Sequence, residues 1–212
     1  MAMVWILAIG GVLLAFTVGW GLLRRMSLPC PPAFVWLLEN RIMEHVAGSA
    51  VIIRRARIAR GMRVLDAGCG PGRITIPLAK HLGPEGEVVA LDVQPAMLDR
   101  LSERIAQHKT GNVKLVLGAL GRGMLEKDAF DRAILITVLG EVPDRYAALR
   151  EIYAALKPGG ILSVTEVLPD PHFQPRGTVR SLGRTAGFEV EEAFVGWRSY
   201  TLNLIRPQSS LG

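Results

Sequence analysis

Cysteine is nearly absent. Cys30 and Cys69 are the only two in 212 residues, and two isolated thiols make neither a disulfide framework nor a metal-ligand spacing. Histidine is equally scarce, with four, so no metal site is expected. Aromatic residues make up 6%, too few for the stacking surfaces of a single-strand nucleic-acid binder. With no recognition motif beside them, a nucleic-acid partner is not expected. No internal repeat is present.

The longest absence is of charge. Residues 3–23, MVWILAIGGVLLAFTVGWGLL, carry no ionisable side chain. At ~1.5 Å per residue such a helix spans a hydrocarbon core of ~30 Å. Trp5 and Trp20 stand near its ends, and Arg24 and Arg25 close it. A cleaved signal peptide would start with basic residues and end at a small-residue cleavage site. A buried core helix of this length would be unusual. Both stay open beside the favoured reading, a transmembrane anchor over residues 1–25. Arginine on its C-terminal side places the N-terminus outside and the main domain in the cytoplasm. Gly10, Gly11, Gly19 and Gly21 permit close helix pairing without specifying an oligomeric state.

Positive charge is concentrated just beyond. Arginines 24, 25, 41, 54, 55, 57, 60 and 63 face only Glu39 and Glu44, which matches the net charge of +6. Beside an anchor, this cluster reads as an attraction to anionic lipid head groups; a merely solvated basic face is the alternative. After the proline-rich SLPCPPAF, apolar residues recur at helical spacing over 33–47, and a second helix is predicted over 49–59. Together residues 26–60 form a basic amphipathic linker or lid.

From residue 61 to 207 short apolar runs alternate with helical patterns. Strands are predicted at MRVLDAG, EVVALDV, NVKLVLG, AFDRAILITVL and ILSVTEVL. Helices are predicted at RITIPLAKHL, PAMLDRLSERIAQHK (with Gly111 after its end), PDRYAALREIYAAL (stopped by Lys157-Pro158-Gly159-Gly160) and TVRSLGRTAG. Two further strands flank Gly196, and 208–212 is an expected tail. The alternation implies an α/β, Rossmann-like, doubly wound and mostly parallel seven-stranded sheet. The final strand pair adds an antiparallel edge, and one transmembrane helix precedes the whole.

The informative stretch is VLDAGCGPG, residues 64–72. An apolar run ends in an acid and then gives up side chains at Gly68, Gly70 and Gly72. Bare backbone at the end of a strand lets a ligand approach closely. Asp92 ends the next strand, where a carboxylate can take both hydroxyls of a ribose. The dinucleotide fingerprint GxGxxG needs different spacing and no acid at Asp66. With Asp92 and the LKPGG turn at 156–160, the DxGxGxG pattern resembles class I S-adenosylmethionine-dependent methyltransferases over residues ~60 to 205.

That resemblance implies S-adenosylmethionine as cofactor. Asp66 would sit by its methionine amino end, Ala67, Gly68 and Gly70 would line it, and Asp92 with Val93 would hold the ribose. The family often has an acid for the adenine amino group where this chain has Ala119 and Leu120; Ala119 cannot make that bond. After the fourth strand, ILITVLGEVPD lacks the [N/D]PPY of amino-group methyltransferases. It looks like the branch that contains ubiquinone and menaquinone C-methyltransferases. Thr137, also a cofactor-binding candidate, and Glu141 would then face the cleft; Glu141 and His172 are candidate catalytic residues, against a helix-capping or solvent-facing role for Glu141 and a loop position without chemical duty for His172. His81 and His108 are expected on the surface, as is His45. The expected activity is methyl transfer to a lipid, quinone or other lipophilic small molecule. A non-catalytic cofactor-binding or scaffold protein, and transfer to a small thiol as in membrane-associated enzymes of similar layout, remain alternatives.

Overall fold

The computed structural model describes Glu44 and residues 46–208. The uncharged span, Cys30, His45, most of the 33–47 helix and residues 209–212 lie outside the described residues. Among the described residues, no helix is long and apolar enough to cross a membrane.

Twelve regular elements follow in chain order. They are α1 (Ser49–Arg55), β1 (Arg63–Ala67), α2 (Thr75–Leu82), β2 (Glu87–Asp92), α3 (Pro95–His108), β3 (Val113–Leu117), β4 (Phe130–Ile136), α4 (Arg145–Ala155), β5 (Leu156–Val167), α5 (Arg176–Thr185), β6 (Glu189–Val195) and β7 (Ser199–Ile205). The strands form one seven-stranded sheet in the order β3-β2-β1-β4-β5-β7-β6. The first five are parallel, while β7 runs antiparallel between β5 and β6.

The central strands read as apolar runs because helices cover both faces. On one face Val64, Val88 and Ile134 meet Ile52, Leu78 and Leu82 of α1 and α2, and Ala90 meets Leu98 and Leu101 of α3. On the other, Leu65, Val89 and Leu135 meet Leu149 and Ile152 of α4 and Val179 of α5. Edge strand β3 is only half-buried. The strand order reverses between β1 and β4, and this opens a crevice beyond the carboxyl ends of the parallel strands.

Helix α3 ends at His108, with Lys109 in the left-handed region at φ 52°, and Gly111 follows that end as expected. Intrahelical carbonyls are closed by the Lys109 and Thr110 amides. One boundary differs from the sequence expectation: Leu156–Gly160 is not a separate turn but the first part of β5. Phe130 pairs with Leu156, the register then shifts, and Arg132 pairs with Ile161. The proline and glycines are accommodated as a bulge rather than as a break.

Of the five arginines of the cluster among the described residues, three are tied within the domain; Arg24, Arg25 and Arg41 lie outside the described residues. Arg55 donates to Thr201 Oγ1 at 2.9 Å and lies over the Phe194 ring. Arg57 pairs with Glu191 and Glu192, and Arg63 with Glu87 and Glu126. Arg54 and Arg60 are exposed. Arginine's fixed fork makes it a tie between elements as readily as a lipid contact, and charge counting along a sequence does not separate the two.

Candidate functional site

The glycine turn leaves β1 and folds back on the end of β2. The Gly68 and Cys69 amides donate to the Leu91 carbonyl at 2.7 and 3.1 Å. Gly68 has φ 74°, and a Cβ there would overlap the Val138 methyls just after β4. Both facts require glycine. Gly72 is alike, with φ 88° and a Cβ that would overlap Leu101 of α3. Cys69 is buried in the turn, its thiol held well above the usual range by burial first and by Asp66 and Asp92 next. It is a small filler, not a nucleophile.

Two carboxylates flank this bare backbone. Asp92 is buried at the end of β2. Its Oδ2 accepts the Gly70 amide and its Oδ1 the Gln94 amide, each at 2.9 Å. Each oxygen keeps a second lone pair. Asp66 is buried too, and its Oδ2 accepts the Thr75 hydroxyl at 2.7 Å. Burial raises its pKa to about 6, opposed by the Thr75 bond and Arg73 and assisted by Asp92. Arg73 donates to the Ala47 carbonyl at 2.9 Å. Val46 and Ala47 pack against Ile136 and Val167 at the ends of β4 and β5. The segment entering the domain therefore lies against the same end of the sheet as the glycine turn.

Ala67 is buried at the end of β1, next to the turn, and Val93 is half-exposed beyond Asp92. Ala119 and Leu120 are half-buried after β3, where the Gly118 amide donates to the Asp92 carbonyl at 3.0 Å. Thr137 follows β4 with φ 55°; its amide donates to the Thr165 carbonyl and its hydroxyl to the Ile136 carbonyl. Glu141 and His172 come from separate loops that the fold presses together. A Cβ on Gly140 would overlap the His172 carbonyl, so glycine alone allows the approach. Arg145 braces the first loop through the Leu139 and Gly140 carbonyls at 3.1 and 3.0 Å. The His172 amide donates to Asp170 Oδ1 at 2.6 Å. All the candidate residues thus gather at one end of the sheet, in two neighbouring groups.

The model of a family described as "Methyltransferase domain" matches residues 58–182. The chain belongs to that family. Curated relatives of the methyltransferase domain include a demethylmenaquinone methyltransferase of Geobacillus kaustophilus, 34% identical over 117 residues, or 55% of this chain and 50% of the relative. The chain spans about half the length of the curated relatives it matches. Among solved structures, an S-adenosylmethionine-dependent methyltransferase of Aquifex aeolicus superposes with a TM-score of 0.77 at 21% identity, covering 84% of this chain and 99% of that one. The [4+2]-cyclase SpnF superposes at 0.69 with 19% identity, covering 76% and 80%. Likeness of that kind establishes the fold, and a fold hosts more than one chemistry.

Sequence reading missed two carboxylates of this methyltransferase domain. Glu151 of α4 gathers the amides of Gly121, Arg122, Met124 and Leu125, the loop after β3. Glu166 of β5 is 1% exposed. Its Oε2 accepts the Gln174 amide at 3.2 Å, while its Oε1 has no hydrogen-bond partner among the described residues. Burial, foremost, lifts its pKa to about 8, and Asp170 and Glu141 add to the rise. In the sequence, Glu166 sits within an apolar run and Glu151 on an ordinary helix face. The one available signal was a charged residue inside a buried strand pattern.

Proposed function

We propose that this protein transfers a methyl group from S-adenosylmethionine to a lipophilic small molecule of the quinone class. The observation that carries the reading is the pair of buried carboxylates flanking the bare Gly68–Gly70 backbone. This donor set suits the cofactor. Ionised Asp66 would face its positive amino end, and the spare lone pairs of Asp92 would take the ribose hydroxyls. Ala67 and Val93 would flank it, and Ala119 with Leu120 would cover the adenine through backbone and apolar contact. When bound, the cofactor supplies an electrophilic methyl group on a sulfonium. The chain's own task is to hold donor and acceptor in line and keep water out. Thr137, Glu141 and His172 would border the acceptor. The quinone class rests on the names of relatives matched over about half their length.

Residues 3–23 would anchor the domain in a membrane by a single span, with the domain on the cytoplasmic side. A second feature agrees with membrane placement. The β6–β7 turn lies at the same end of the sheet as the glycine turn, because Ser199 pairs with Val167 and the Leu168 amide donates to Arg198. There Trp197 is 92% exposed, with Val195 and Leu168 also exposed and Arg198 stacked 5.6 Å from the indole. An amphipathic ring beside an arginine suits the head-group region.

Ala119 supports a second reading, a cofactor-binding protein without turnover. Detergent-solubilised full-length protein given methyl-labelled S-adenosylmethionine and either membrane or aqueous extract separates the readings. Label in the organic phase, absent with Asp92→Ala, is the expected result. Cofactor binding with no label in either phase would favour the second reading.

A further inference from the structure

The acceptor end of the cleft contains a polar group whose presence its surroundings do not account for. Glu166 lies one residue beyond Thr165, which pairs with Ile136 and receives the Thr137 amide. It therefore stands beside the end of β4, across Val138 and Gly140 from the glycine turn. Around it are the loop carrying Asp170, His172 and Gln174, the Glu141 and Arg145 groups after β4, and Tyr200 of β7. The Tyr200 hydroxyl donates to the Gln174 carbonyl at 2.6 Å, and its ring meets Phe173 edge-on at 5.9 Å.

A carboxyl group in such a place is costly. An apolar side chain of similar size would fill the strand position without an orphaned oxygen. Native folds satisfy nearly all buried polar atoms, and an unmatched one calls for an explanation, a catalytic or binding role among them. Nothing on the described part of the chain uses Oε1. Apolar walls of Phe173 and Tyr200 with one convergent polar atom are the make-up of a site for an apolar ligand with a polar handle.

We propose that Glu166 Oε1 is the hydrogen-bond acceptor for a hydroxyl group on the methyl acceptor, so that the site selects hydroxylated aromatic rings. This deepens the quinone reading and rests on it for the identity of the ring. Access requires the 169–174 loop to shift, since Glu166 is enclosed by it. The carboxyl is neutral below about pH 8 and ionised above, so its grip on a hydroxyl strengthens as pH rises through that value. Asp170 and Glu141 oppose ionisation, Arg145 favours it, and Tyr200 stays protonated.

The test is binding rather than turnover. Affinities of 1-naphthol and its methyl ether are measured on the full chain with S-adenosylhomocysteine present. Wild type is expected to favour the naphthol about tenfold, on the scale of one hydrogen bond to a charged or polar partner. In Glu166→Leu the ratio should fall to about one. Glu166→Gln, which keeps an oxygen and guards against misfolding of the leucine variant, should retain the preference at pH 7 but lose its growth between pH 7 and 9. An unchanged ratio in Glu166→Leu, no preference in wild type, or an unchanged pH response in Glu166→Gln overturns the proposal. Methyl transfer to a hydroquinone is assayed on the same wild-type preparation. Loss of the hydroxyl preference in the variant without any product from wild type upholds the pocket and removes the quinone reading.

Discussion

The two halves of the cleft are built on opposite principles. At the glycine turn every carboxylate is partnered: Asp66 with Thr75, and Asp92 with two backbone amides. Those contacts join residues near in the chain or on adjacent strands. At the ends of β4 and β5 a buried carboxylate has one oxygen unmatched among the described residues, beside two other acids. The first half is set before any ligand arrives, which is what a site for an invariant cofactor needs. The second leaves bonding capacity open, and a ligand would complete it. A fold can thus fix its cofactor rigidly and still vary what it modifies.

The sharpest way to break this contrast is at Asp92. Two hydrogen bonds to a charged acceptor are worth about 1.5–3 kcal/mol each, so Asp92→Ala should weaken S-adenosylmethionine binding by roughly 100-fold or more. Calorimetric titration checks it, and circular dichroism should show the fold retained. Unchanged affinity would remove the ribose role from Asp92.

Next in size is Glu151, which orders the loop after β3, the proposed adenine side. Glu151→Ala leaves four amides without their carboxylate, a loss of about 2–4 kcal/mol if two of them find no water. Urea denaturation should register it, and Glu151→Gln should lose less. Equal midpoints for wild type and alanine variant would mean that the loop amides are already solvated.

Gly68→Ala should cost about 1–3 kcal/mol through its left-handed backbone, with overlap against Val138 added. The double variant Gly68→Ala/Val138→Ala should recover the overlap portion only. Recovery measures how tightly the two halves are pressed together; none at all would mean that the β4 loop yields freely.

The smallest effect is a pH dependence at Asp66. Its folded pKa, about 6, lies above the ordinary 3.8, so the proton is bound more tightly in the folded state. Its contribution to stability is full below the unfolded value and is lost as pH rises through about 6. Asp66→Asn should therefore gain stability relative to wild type above pH 6. Cofactor binding has the opposite sign, because a cation prefers the ionised carboxylate. Affinity should fall by up to about tenfold per unit as pH drops below 6. A flat profile from pH 7.5 to 5 would detach Asp66 from the cationic end.

Much of the fold was legible because it is periodic or local. Apolar runs over 64–67 and 88–91 mark strands buried on both faces, and Pro95 marks a helix start. The DxGxGxG turn and Asp92 were legible for the same reason, since local backbone geometry demands those residue types there. The Leu156–Gly160 segment was misread as a turn because its bulge depends on neighbours that no short window contains. Glu141 and His172 were proposed singly, and their loops meet only because Gly140 admits the His172 carbonyl. Glu151 and Glu166 were missed outright.

Sequence alone determined the order of elements, the family pattern and the glycine turn, because strand periodicity and left-handed backbone leave a mark on every residue involved. Tertiary structure alone decided which arginines are consumed in internal ties, which loops meet, and that one acid in an apolar strand keeps an oxygen unmatched. Those depend on contacts between residues far apart in the chain. Their energy belongs to the pair and to its burial, and neither is a property of a residue read by itself.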